Sequence, residues 1–425
     1  MSANFTTWNL DVHDFGALGD GQTNDFAAIQ AAIAEAQISR KTLHFRPVTY
    51  IVSDELQVSS DLIIEGHGAQ IETTNAPLRS VLAVHNQTLV EVRHLTLNAS
   101  GVAEHVMYCA GAGQSRFERV VFLRARKDAV FLDAKGSAGG NDCMKFERCI
   151  FQHSGQVFSE GTVSVSQGLS AIILGTGTQF KKNEIRSGDF IHVGEEWLQV
   201  ATVDSDTQIT CTLHPLSAGH AAGTKYSAHV GDGYREEIFN DNNLCIHRDC
   251  LYRGNAGSGA RFAGLYGPRV ENGQSDFNKA FGFVVGMSTG SNVIGSSFRG
   301  CYTEDLGAES FFLGYAAGIT IDTLNCAGEP IRISNPSFNW GVLSNVQGQM
   351  GALMPIGSEP LVHVPAAVMN THTNLPPEKP NSYPHGTILF KRAPLQGDYI
   401  GWVKLGASPF SEWLPFGKVD NPPPL

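Results

Sequence analysis

The residues best suited to acid–base chemistry lie in two polar clusters in the second half of the chain. The first cluster runs from Asp241 to Cys250 and places a base, a cation and a carboxylate side by side, in His247, Arg248 and Asp249. Such a set can move a proton and neutralise an acidic group on a substrate. The same residues also fit the solvated face of a strand, with the neighbouring asparagines at its turn.

The second cluster, from Cys301 to Glu309, places two adjacent acids beside a tyrosine. Glu304 and Asp305 follow Tyr302 at the end of an apparent strand, and acids in that position suit general acid–base catalysis. Pairs of acids are also common in turns. Hydrolysis of a glycosidic bond needs two carboxylates roughly 5 to 9.5 Å apart. Elimination from a uronic acid instead needs a base together with Ca²⁺ or an arginine.

Short strands that recur along the chain must position these residues. Arg116–Phe122 recurs 29 residues later as Lys145–Phe151, and Val92–Leu97 shows the same apolar phase 25 residues before Phe117. A period of this length without intervening helices predicts a β-solenoid, in which each coil buries its inward side chains by stacking on the next. Alternate residues of each strand then point outward. The outer face is therefore where a ligand would lie.

Stacked coils can bring acids from different repeats together. Neighbouring strands lie about 4.8 Å apart, so carboxylates one or two coils apart can meet the spacing that hydrolysis needs. Asp276 lies roughly one coil before the second cluster and could pair with Glu304 or Asp305. Acids outnumber lysine and arginine in the later coils, which favours hydrolysis over elimination. A basic cleft near Arg248 or Arg253 would indicate a uronate lyase instead.

Two stretches interrupt the repeat. Residues 169–230 carry several strands with their own turns, which predicts a small antiparallel barrel inserted between coils. A stretch crowded with prolines before His385 predicts an extended linker, and aromatic strands follow it. The predicted organisation is an N-terminal cap (1–60), a first solenoid part (61–168), the inserted barrel (169–230), a second solenoid part (231–363), the linker (364–384) and a C-terminal β-module (385–425).

The chain begins with a glycine-rich turn, Val12–Asp25, that runs into a helix-like segment from Phe26 to Gln37. Thr23 or Asn24 can cap the start of this helix. The stretch closely resembles the opening of the pectate-lyase-like superfamily, whose members fold as right-handed parallel β-helices with this segment as a lid over the first coil. That resemblance implies an elongated molecule and, usually, work on a polysaccharide.

The insert and the terminal strands carry a narrower resemblance. The insert resembles β-barrel inserts of phage tail proteins, and the Gly-Trp-Val…Trp…Phe-Gly strands after residue 385 look like a terminal module of phage and prophage β-helix proteins. This resemblance implies a depolymerising tailspike, which is commonly a trimer. The superfamily's epimerase signature, Asp-Pro-His, is absent from the sequence. Of the polygalacturonase signatures only Gly66-His67-Gly68 occurs, in an early coil without its partners, so pectin specificity is not supported.

Composition limits the classes of partner. The 425 residues include 46 glycines and 24 phenylalanines, and the formal net charge of −11 argues against binding nucleic acid or an anionic membrane. No apolar run approaches the roughly 18 to 20 residues that span a bilayer, and no secretory signal is visible in the first residues. The eight cysteines show no zinc-ligand spacing and read as buried small side chains. Asp14, Asp20 and Asp25 lack the spacing of a calcium loop and read as turn residues.

Together these patterns predict an all-β protein: a right-handed parallel β-helix (solenoid) with an N-terminal capping helix, a small inserted β-barrel and a small C-terminal β-module. The predicted function is polysaccharide hydrolysis by paired carboxylates; the alternatives are a uronate lyase and a non-catalytic glycan-binding or structural tail protein. We expect a homotrimer, virion-associated or extracellular, with no cofactor unless a lyase uses Ca²⁺. The predicted catalytic residues are Asp276, Glu304, Asp305 and Asp249, and the predicted substrate-binding residues are His247, Arg248, Tyr302 and Trp340.

Overall fold

The computed structural model describes residues 9–74, 77–85, 89–133, 140–216, 219–237, 242–286, 293–314, 316–326, 331–333, 340–347, 361–363, 388–390, 399–404 and 413–418. It is a parallel β-solenoid of about 11 turns, with 55% of residues in strands and 6% in helices. One helix lies near the N-terminus, and additional sheets accompany the solenoid. The all-β solenoid expected from the repeat is therefore confirmed.

The elements follow one another in a regular order. The N-terminal part contains a 3-10 helix at Val12–Phe15, the helix α1 at Phe26–Ser39, and the strands β1 (Asn9–Asp11), β2 (Asp20–Asn24), β3 (Thr42–His44), β4 (Thr49–Val52), β5 (Leu56–Val58), β6 (Leu62–Thr73), β7 (Leu78–His85), β8 (Val90–Asn98), β9 (Ala103–Ala110), β10 (Arg116–Glu118), β11 (Val121–Leu123), β12 (Val130–Leu132), β13 (Lys145–Glu147) and β14 (Ile150–Gln152). An antiparallel unit follows with β15 (Gln156–Phe158), β16 (Thr162–Val165), β17 (Gly168–Thr176), β18 (Phe190–Val193), β19 (Glu196–Ser205), β20 (Gln208–Leu216), β21 (His220–Thr224) and β22 (Tyr226–Val230).

The solenoid then resumes and is followed by three terminal strands. Its later strands are β23 (Tyr234–Glu236), β24 (Ile246–Arg248), β25 (Leu251–Arg253), β26 (Ala260–Phe262), β27 (Arg269–Glu271), β28 (Gln274–Asp276), β29 (Phe283–Val285), β30 (Val293–Ile294), β31 (Ser297–Arg299), β32 (Tyr302–Glu304), β33 (Phe311–Leu313), β34 (Ala316–Cys326), β35 (Ile331–Ile333), β36 (Trp340–Gln347) and β37 (Leu361–His363). The terminal strands are β38 (Ile388–Phe390), β39 (Tyr399–Lys404) and β40 (Trp413–Lys418).

The helix α1 covers the first coil with one apolar face. Ile29, Ala32, Ile33 and Ala36 are buried in the core that continues into the solenoid. Asp25 precedes the helix, but its carboxylate accepts hydrogen bonds from the backbone of Leu18 and Gly19 and so holds the glycine-rich turn. Asn24 accepts from the Phe26 N–H at 3.1 Å. The predicted capping role of Asn24 and turn role of Asp25 therefore agree with the structure.

The repeat seen in the sequence is the register of the solenoid. Among the described residues, twenty strands form one sheet, here called the long sheet, and nine form a second, the short sheet. Phe117 pairs with Phe146, which in turn pairs with His247, although the insert separates the last two by 101 residues of sequence. In the central coils, from β10 to β32, each coil contributes two short strands to the long sheet, because the backbone bends between them.

The bend is a residue with positive φ, and it recurs from coil to coil. A side chain seldom adopts this conformation except in turns. The bend residues of neighbouring coils stack on one another and form a column between the two strands of each coil. This column contains His94, Arg119, Arg148, Asp249, Asn272, Gly300 and Thr323. A second such column follows the second strand of the coil and contains Arg124, His153, Gly254, Phe277 and Asp305.

Stacked rings and small side chains fill the interior. Phe117 and Phe146 stack with centroids 5.0 Å apart, and Phe151 and Tyr252 do so in the parallel row, also at 5.0 Å. Cys149, Cys250 and Cys301 follow the bend in successive or nearby coils and are buried. Seven of the eight cysteines are buried, and all eight are free thiols. The prediction that they serve as small core residues is confirmed.

The insert is an eight-stranded antiparallel sheet with its own hydrophobic core. Its sheet includes β15, so the unit begins at Gln156 and ends at Val230, earlier than the predicted start at residue 169. The would-be Cβ of Gly155 lies 2.1 Å from the Val230 carbonyl oxygen and 2.9 Å from the Gly231 Cα. The two ends of the insert therefore meet at Gly155 and Gly231. The backbones approach so closely there that a larger side chain would not fit.

The insert packs onto the outer face of the short sheet. Phe190 and Trp197 of the insert form one apolar cluster with Phe281, Val284 and Phe312. Buried ion pairs surround this cluster. They join Arg235 to Asp189, Arg261 to Asp232, and Arg186 to Asp128. The face of the solenoid around these residues is consequently closed by packing.

The C-terminal part contains the last coils and a separate sheet. The strand β37 pairs in parallel with β36, so the solenoid includes Leu361–His363. The strands β38, β39 and β40 form a three-stranded antiparallel sheet, in agreement with the predicted C-terminal β-module. The predicted linker, 364–384, lies outside the described residues.

Candidate functional site

The outer face of the long sheet brings the two strongest acid candidates together. The strand β28 pairs in parallel with β32, and in that register Asp276 is the direct partner of Glu304. Ser275 and Thr303, one position earlier, are buried in the interior. Since side chains alternate across a strand, both carboxylates project from the opposite, outer face. The expectation that Asp276 lies one coil before the second cluster is therefore confirmed.

Asp276 is buried although it lies on the outer face. Its exposed fraction is only 1%. Its Oδ2 atom lies 3.0 Å from Arg253 Nη2 and accepts from Gln274 Nε2 at 3.3 Å. Its Oδ1 atom is buried with no hydrogen-bond partner. Burial raises the pKa of Asp276, and the Arg253 guanidinium opposes this by favouring the charged form.

Glu304 is half-buried and is held by a tyrosine of the same strand. The Tyr302 hydroxyl donates to Glu304 Oε2 at 2.6 Å. This hydrogen bond raises the pKa of Tyr302, with burial contributing in the same direction. Tyr302 therefore keeps its proton at neutral pH and fixes one oxygen of Glu304. Among the described residues the other oxygen, Oε1, has no hydrogen-bond partner and can meet a substrate or a water molecule.

Arg253 stands in the same outward row as the two acids. The register places Arg253 opposite Asp276 and Leu251 opposite Gln274. The Arg253 guanidinium also lies 5.2 Å from the centre of the Phe277 ring. The sequence had pointed to Arg253 only as a sign of lyase chemistry and had missed Gln274. Leu251, Gln274 and Tyr302 occupy the same position in successive repeats, and this spacing could have identified Gln274 from the sequence.

Asp249 and Asp305 occupy bends rather than the outward row. Both are exposed and have positive φ, 53° and 48°. Asp249 accepts from Asn272 Nδ2 at 2.9 Å and lies 4.0 Å from Arg148 Nε. Asp305 directly follows Glu304 and so lies at the rim of the acid pair. The structure thus separates Asp249 from the pair, in agreement with the turn interpretation.

His247 requires a correction, because it lies inside the solenoid. Its exposed fraction is 0%, and its ring stacks on Phe146 with centroids 4.9 Å apart. The Tyr252 hydroxyl is 2.6 Å from its Nδ1 atom. Burial lowers the pKa of His247 to about 3, so the ring is neutral. A side chain in this position cannot contact a glycan on the outer face, contrary to the prediction of substrate binding.

Arg248 is exposed but committed to neighbouring acids. Its Nε atom is 2.8 Å from Glu271 Oε2, and its Nη1 atom is 3.3 Å from Glu147 Oε1. Glu147 also lies next to Glu118 in the register and is 3.0 Å from Arg116 Nε. A ladder of ion pairs therefore runs along this face from Arg116 through Glu147 and Arg248 to Glu271.

The remaining candidates are described only in part or not at all. Asp241 lies outside the described residues. Trp340 begins β36, and only its backbone is described. Within the described ranges, no three histidine, cysteine, aspartate or glutamate side chains are grouped so as to hold a metal ion. None of the described helices has the length and apolar character needed to cross a membrane.

The N-terminal coils match a known family. Residues 10–105 match the family described as rhamnogalacturonase A/epimerase, pectate lyase-like. This segment covers the glycine-rich turn, α1 and the first coils. No curated protein matches the chain in sequence.

Several solved structures are similar in fold at low identity. A protein of Geobacillus virus E2, ORF18, is 13% identical with a TM-score of 0.45; the match covers 80% of this chain and 60% of the viral protein. The tailspike of Acinetobacter phage vB_ApiP_P1 is 12% identical with a TM-score of 0.45, covering 97% and 80%. The A-module of the mannuronan C-5 epimerase AlgE6 of Azotobacter vinelandii is 14% identical with a TM-score of 0.39, covering 84% and 97%.

Similarity at this level fixes no substrate and no activity for the chain, which spans less than two thirds of the length of the Geobacillus virus protein. The sequence match and the fold nonetheless agree on one point. In its N-terminal sequence and in the parallel solenoid that follows, the chain resembles the pectate-lyase-like β-helix proteins.

Proposed function

We propose that this protein hydrolyses a polysaccharide bound along the outer face of the long sheet, with Asp276 and Glu304 as the catalytic pair. The observation that carries the proposal is their register: two carboxylates project side by side from adjacent coils. The insert covers the outer face of the short sheet around Phe281, Val284 and Phe312. The long sheet therefore offers the face on which an extended glycan can lie.

The two acids stand in different environments, which suits different roles. Burial raises the pKa of Asp276, so this carboxyl can hold a proton and act as the general acid. Glu304 is more exposed and is oriented by Tyr302, which suits the nucleophile or base. The acid role requires the side chains around Asp276 to open when the sugar binds. Arg253 is the exposed member of that set, with 44% of its side chain accessible.

Adjacent coils set the separation of the pair. Neighbouring strands are about 4.8 Å apart. Retaining glycosidases place their carboxyl groups about 5 to 5.5 Å apart, whereas inverting enzymes need about 6.5 Å or more to admit a water molecule. The register therefore favours retention through a glycosyl-enzyme intermediate on Glu304.

The lyase alternative finds less support on this face. Its mark would be a basic cleft near Arg248 or Arg253. Arg248 is paired with Glu271 and Glu147, and Arg253 is paired with Asp276. Neither guanidinium is left to neutralise a substrate carboxylate. If the protein acts as a tailspike, its site of action is extracellular or virion-associated and its assembly is a homotrimer.

The test is degradation of a panel of bacterial capsular and plant polysaccharides, with reducing ends and unsaturated products measured together. We expect new reducing ends without ultraviolet-absorbing products. Glu304→Gln and Asp276→Asn should each lower the rate by at least about a hundredfold. Glu271→Gln is the matched control, because it removes an outward carboxylate of the same sheet that pairs with Arg248.

Two outcomes would contradict the proposal. Unsaturated products would indicate elimination in place of hydrolysis. Glycan binding without any product, unchanged in Glu304→Gln and Asp276→Asn, would indicate a binding protein.

A further inference from the structure

An open groove on the outer face of the first coils contains histidines and an arginine in a row. Two adjoining hollows of about 470 and 490 Å³ share His67 in their walls. His94 and Arg119 line one hollow, and His44 lines the other. His67, His94 and Arg119 all have positive φ, so they occupy the bend in successive coils. This groove lies several coils from Asp276 and Glu304.

The imidazole rings of His44 and His67 form a hydrogen-bonded pair. His44 and His67 stack with centroids 5.2 Å apart, and His44 Nδ1 lies 2.9 Å from His67 Nε2. One ring must donate and the other accept. The second nitrogen of His44, Nε2, is buried with no hydrogen-bond partner. Burial and the neighbouring His67 ring lower the pKa of His44.

His94 is held between an acid and a guanidinium. Its Nδ1 atom is 2.7 Å from Glu65 Oε1, and its Nε2 atom is 3.1 Å from Arg119 Nη1. Because a guanidinium only donates, Nε2 accepts here and Nδ1 carries the proton toward Glu65. Arg119 makes no ion pair with any carboxylate in the described part of the chain. Its charge is therefore available to a ligand.

The charged groups around the row can be named from each neighbouring element. Glu65 of β6 contacts His94, and Arg119 follows β10. Arg93 and Glu91, which both precede His94 on β8, pair with each other at 2.7 Å. Around His67 the second hollow contains Asp11, Asp14 and Arg46, and Asp11 is paired with Arg46 at 2.9 Å.

We propose that His67, His94 and Arg119 bind an oxyanion, such as the carboxylate of an acidic sugar or a sulfate, and bind it more tightly as the imidazoles take up protons. A protonated His94 cannot accept from Arg119, so its Nε2–H and the guanidinium both become donors toward the groove. An oxyanion between them accepts from both. Charge-assisted bonds of this kind are the stronger ones. Histidine side chains ordinarily gain this proton between about pH 5 and 8.

The test uses sulfate and glucuronate as probes, because neither changes its charge in this pH range, and glucose as the neutral control. Binding is followed by NMR on protein labelled only in its histidines, with single variants to assign His67 and His94. Both anions should shift these two resonances, and glucose should not. Affinity should be about tenfold higher near pH 5.5 than near pH 7.5. A preference for glucuronate over sulfate would indicate a sugar-borne carboxylate; equal binding would indicate a general oxyanion site.

A matched pair of variants separates this site from a general surface charge. Arg119→Gln should weaken binding about tenfold. Arg148→Gln, at the same bend one coil further along the column and with Asp249 as its neighbour, should leave affinity within about twofold. Both variants keep their thermal unfolding midpoint, since both side chains are exposed. Absence of any shift with either anion near pH 5.5, or equal losses in the two variants, would overturn the proposal.

Discussion

The behaviour of Asp276 depends on two opposed effects at the scale of single residues. Burial favours its protonated form, and the Arg253 guanidinium 3.0 Å away favours its charged form. The balance leaves its pKa above the usual value for an aspartic acid. A general acid must be protonated when substrate binds, so kcat/KM should fall as the pH rises through this raised pKa. The arginine therefore sets where that fall occurs.

Arg253→Met is expected to move the alkaline limb of the kcat/KM profile to higher pH, by about one unit. The methionine keeps an apolar stem beside Phe277 but removes the charge that favours ionised Asp276. The measurement is kcat/KM against pH for a soluble oligosaccharide released from the active polysaccharide. Arg248→Met is the control, because Arg248 faces Glu271 and Glu147 in another row. A shift toward lower pH, or equal shifts in both variants, would contradict the assignment of Asp276 as the acid.

Sequence phase explains why one candidate residue was placed correctly and another was not. Asp276 and Glu304 lie in neighbouring repeats without an inserted unit, so the repeat placed Asp276 about one coil before Glu304 and Asp305, and the structure identifies Glu304 as its direct partner. His247 belongs to the row of Phe117 and Phe146, which points inward. The insert separates His247 from Phe146 by 101 residues, so the repeat could not be followed across the gap. The polar character of histidine then suggested an outward position, whereas inside the solenoid the ring stacks on Phe146, Nδ1 bonds with the Tyr252 hydroxyl, and Nε2 is buried without a hydrogen-bond partner.

At the scale of elements, the solenoid interior also holds a carboxyl group. Glu236 lies at the end of β23 and is 2% exposed. Its Oε1 atom accepts from the Tyr234 hydroxyl at 2.9 Å, and its Oε2 atom accepts from the backbone of Ala263 and Gly264 at 2.8 Å each. Burial raises the pKa of Glu236 to about 7, against an ordinary value of 4.5. The folded protein therefore holds a proton here that the unfolded chain releases at lower pH.

This proton makes stability depend on pH with a definite sign. Because the folded pKa is the higher one, the contribution is fully present below about pH 4.5 and is lost as the pH rises through about 7. The free energy of unfolding should fall by roughly 3 kcal/mol over this window from Glu236 alone. Glu236→Gln should remove that dependence and be more stable than the parent near pH 8. Its carbonyl can keep both backbone donors, and its amide can donate to Tyr234.

Urea unfolding at several pH values, read on the parent and the variant, measures this effect. Glu271→Gln serves as the exposed control and should keep the parent's pH dependence. Parallel curves for the parent and Glu236→Gln would show that the proton is held elsewhere.

The repeat made most elements predictable, and the exceptions have physical causes. The alternation in β10, β11, β13 and β14 fixed both the strands and their register, because each coil buries its apolar side chains only by stacking on the next. The predicted insert begins at residue 169, whereas β15 and β16 before it already pair antiparallel with strands of the insert. Nothing in the sequence showed that the insert would fold back onto the short sheet, because that contact joins residues far apart in the chain.

At the scale of the whole molecule, the insert decides which face can bind a glycan. It covers Phe281, Val284 and Phe312 and pairs with buried arginines, so the short sheet has no open outer face where it packs. Asp189 of the insert lies beside Arg235, and the Gly188 carbonyl accepts from Arg261. Breaking a buried pair by removing one partner costs about 3 to 5 kcal/mol. The insert is thus part of the solenoid's stability as well as its surface.

Deletion of Gln156–Val230, with Gly155 joined to Gly231, tests this role directly. The two glycines already touch, so the junction itself demands little rearrangement. The deletion exposes apolar side chains that each contribute about 1.5 to 3 kcal/mol when buried, and it leaves Arg235 without Asp189. We expect aggregation or a large fall in the unfolding temperature, measured by light scattering and calorimetry. A companion deletion that also carries Phe281→Ser and Phe312→Ser should regain solubility but not stability, because the lost ion pairs are not replaced. A deletion variant as soluble and as stable as the parent would show that the insert is only appended to the solenoid, and the short sheet would then be a second open face for a glycan.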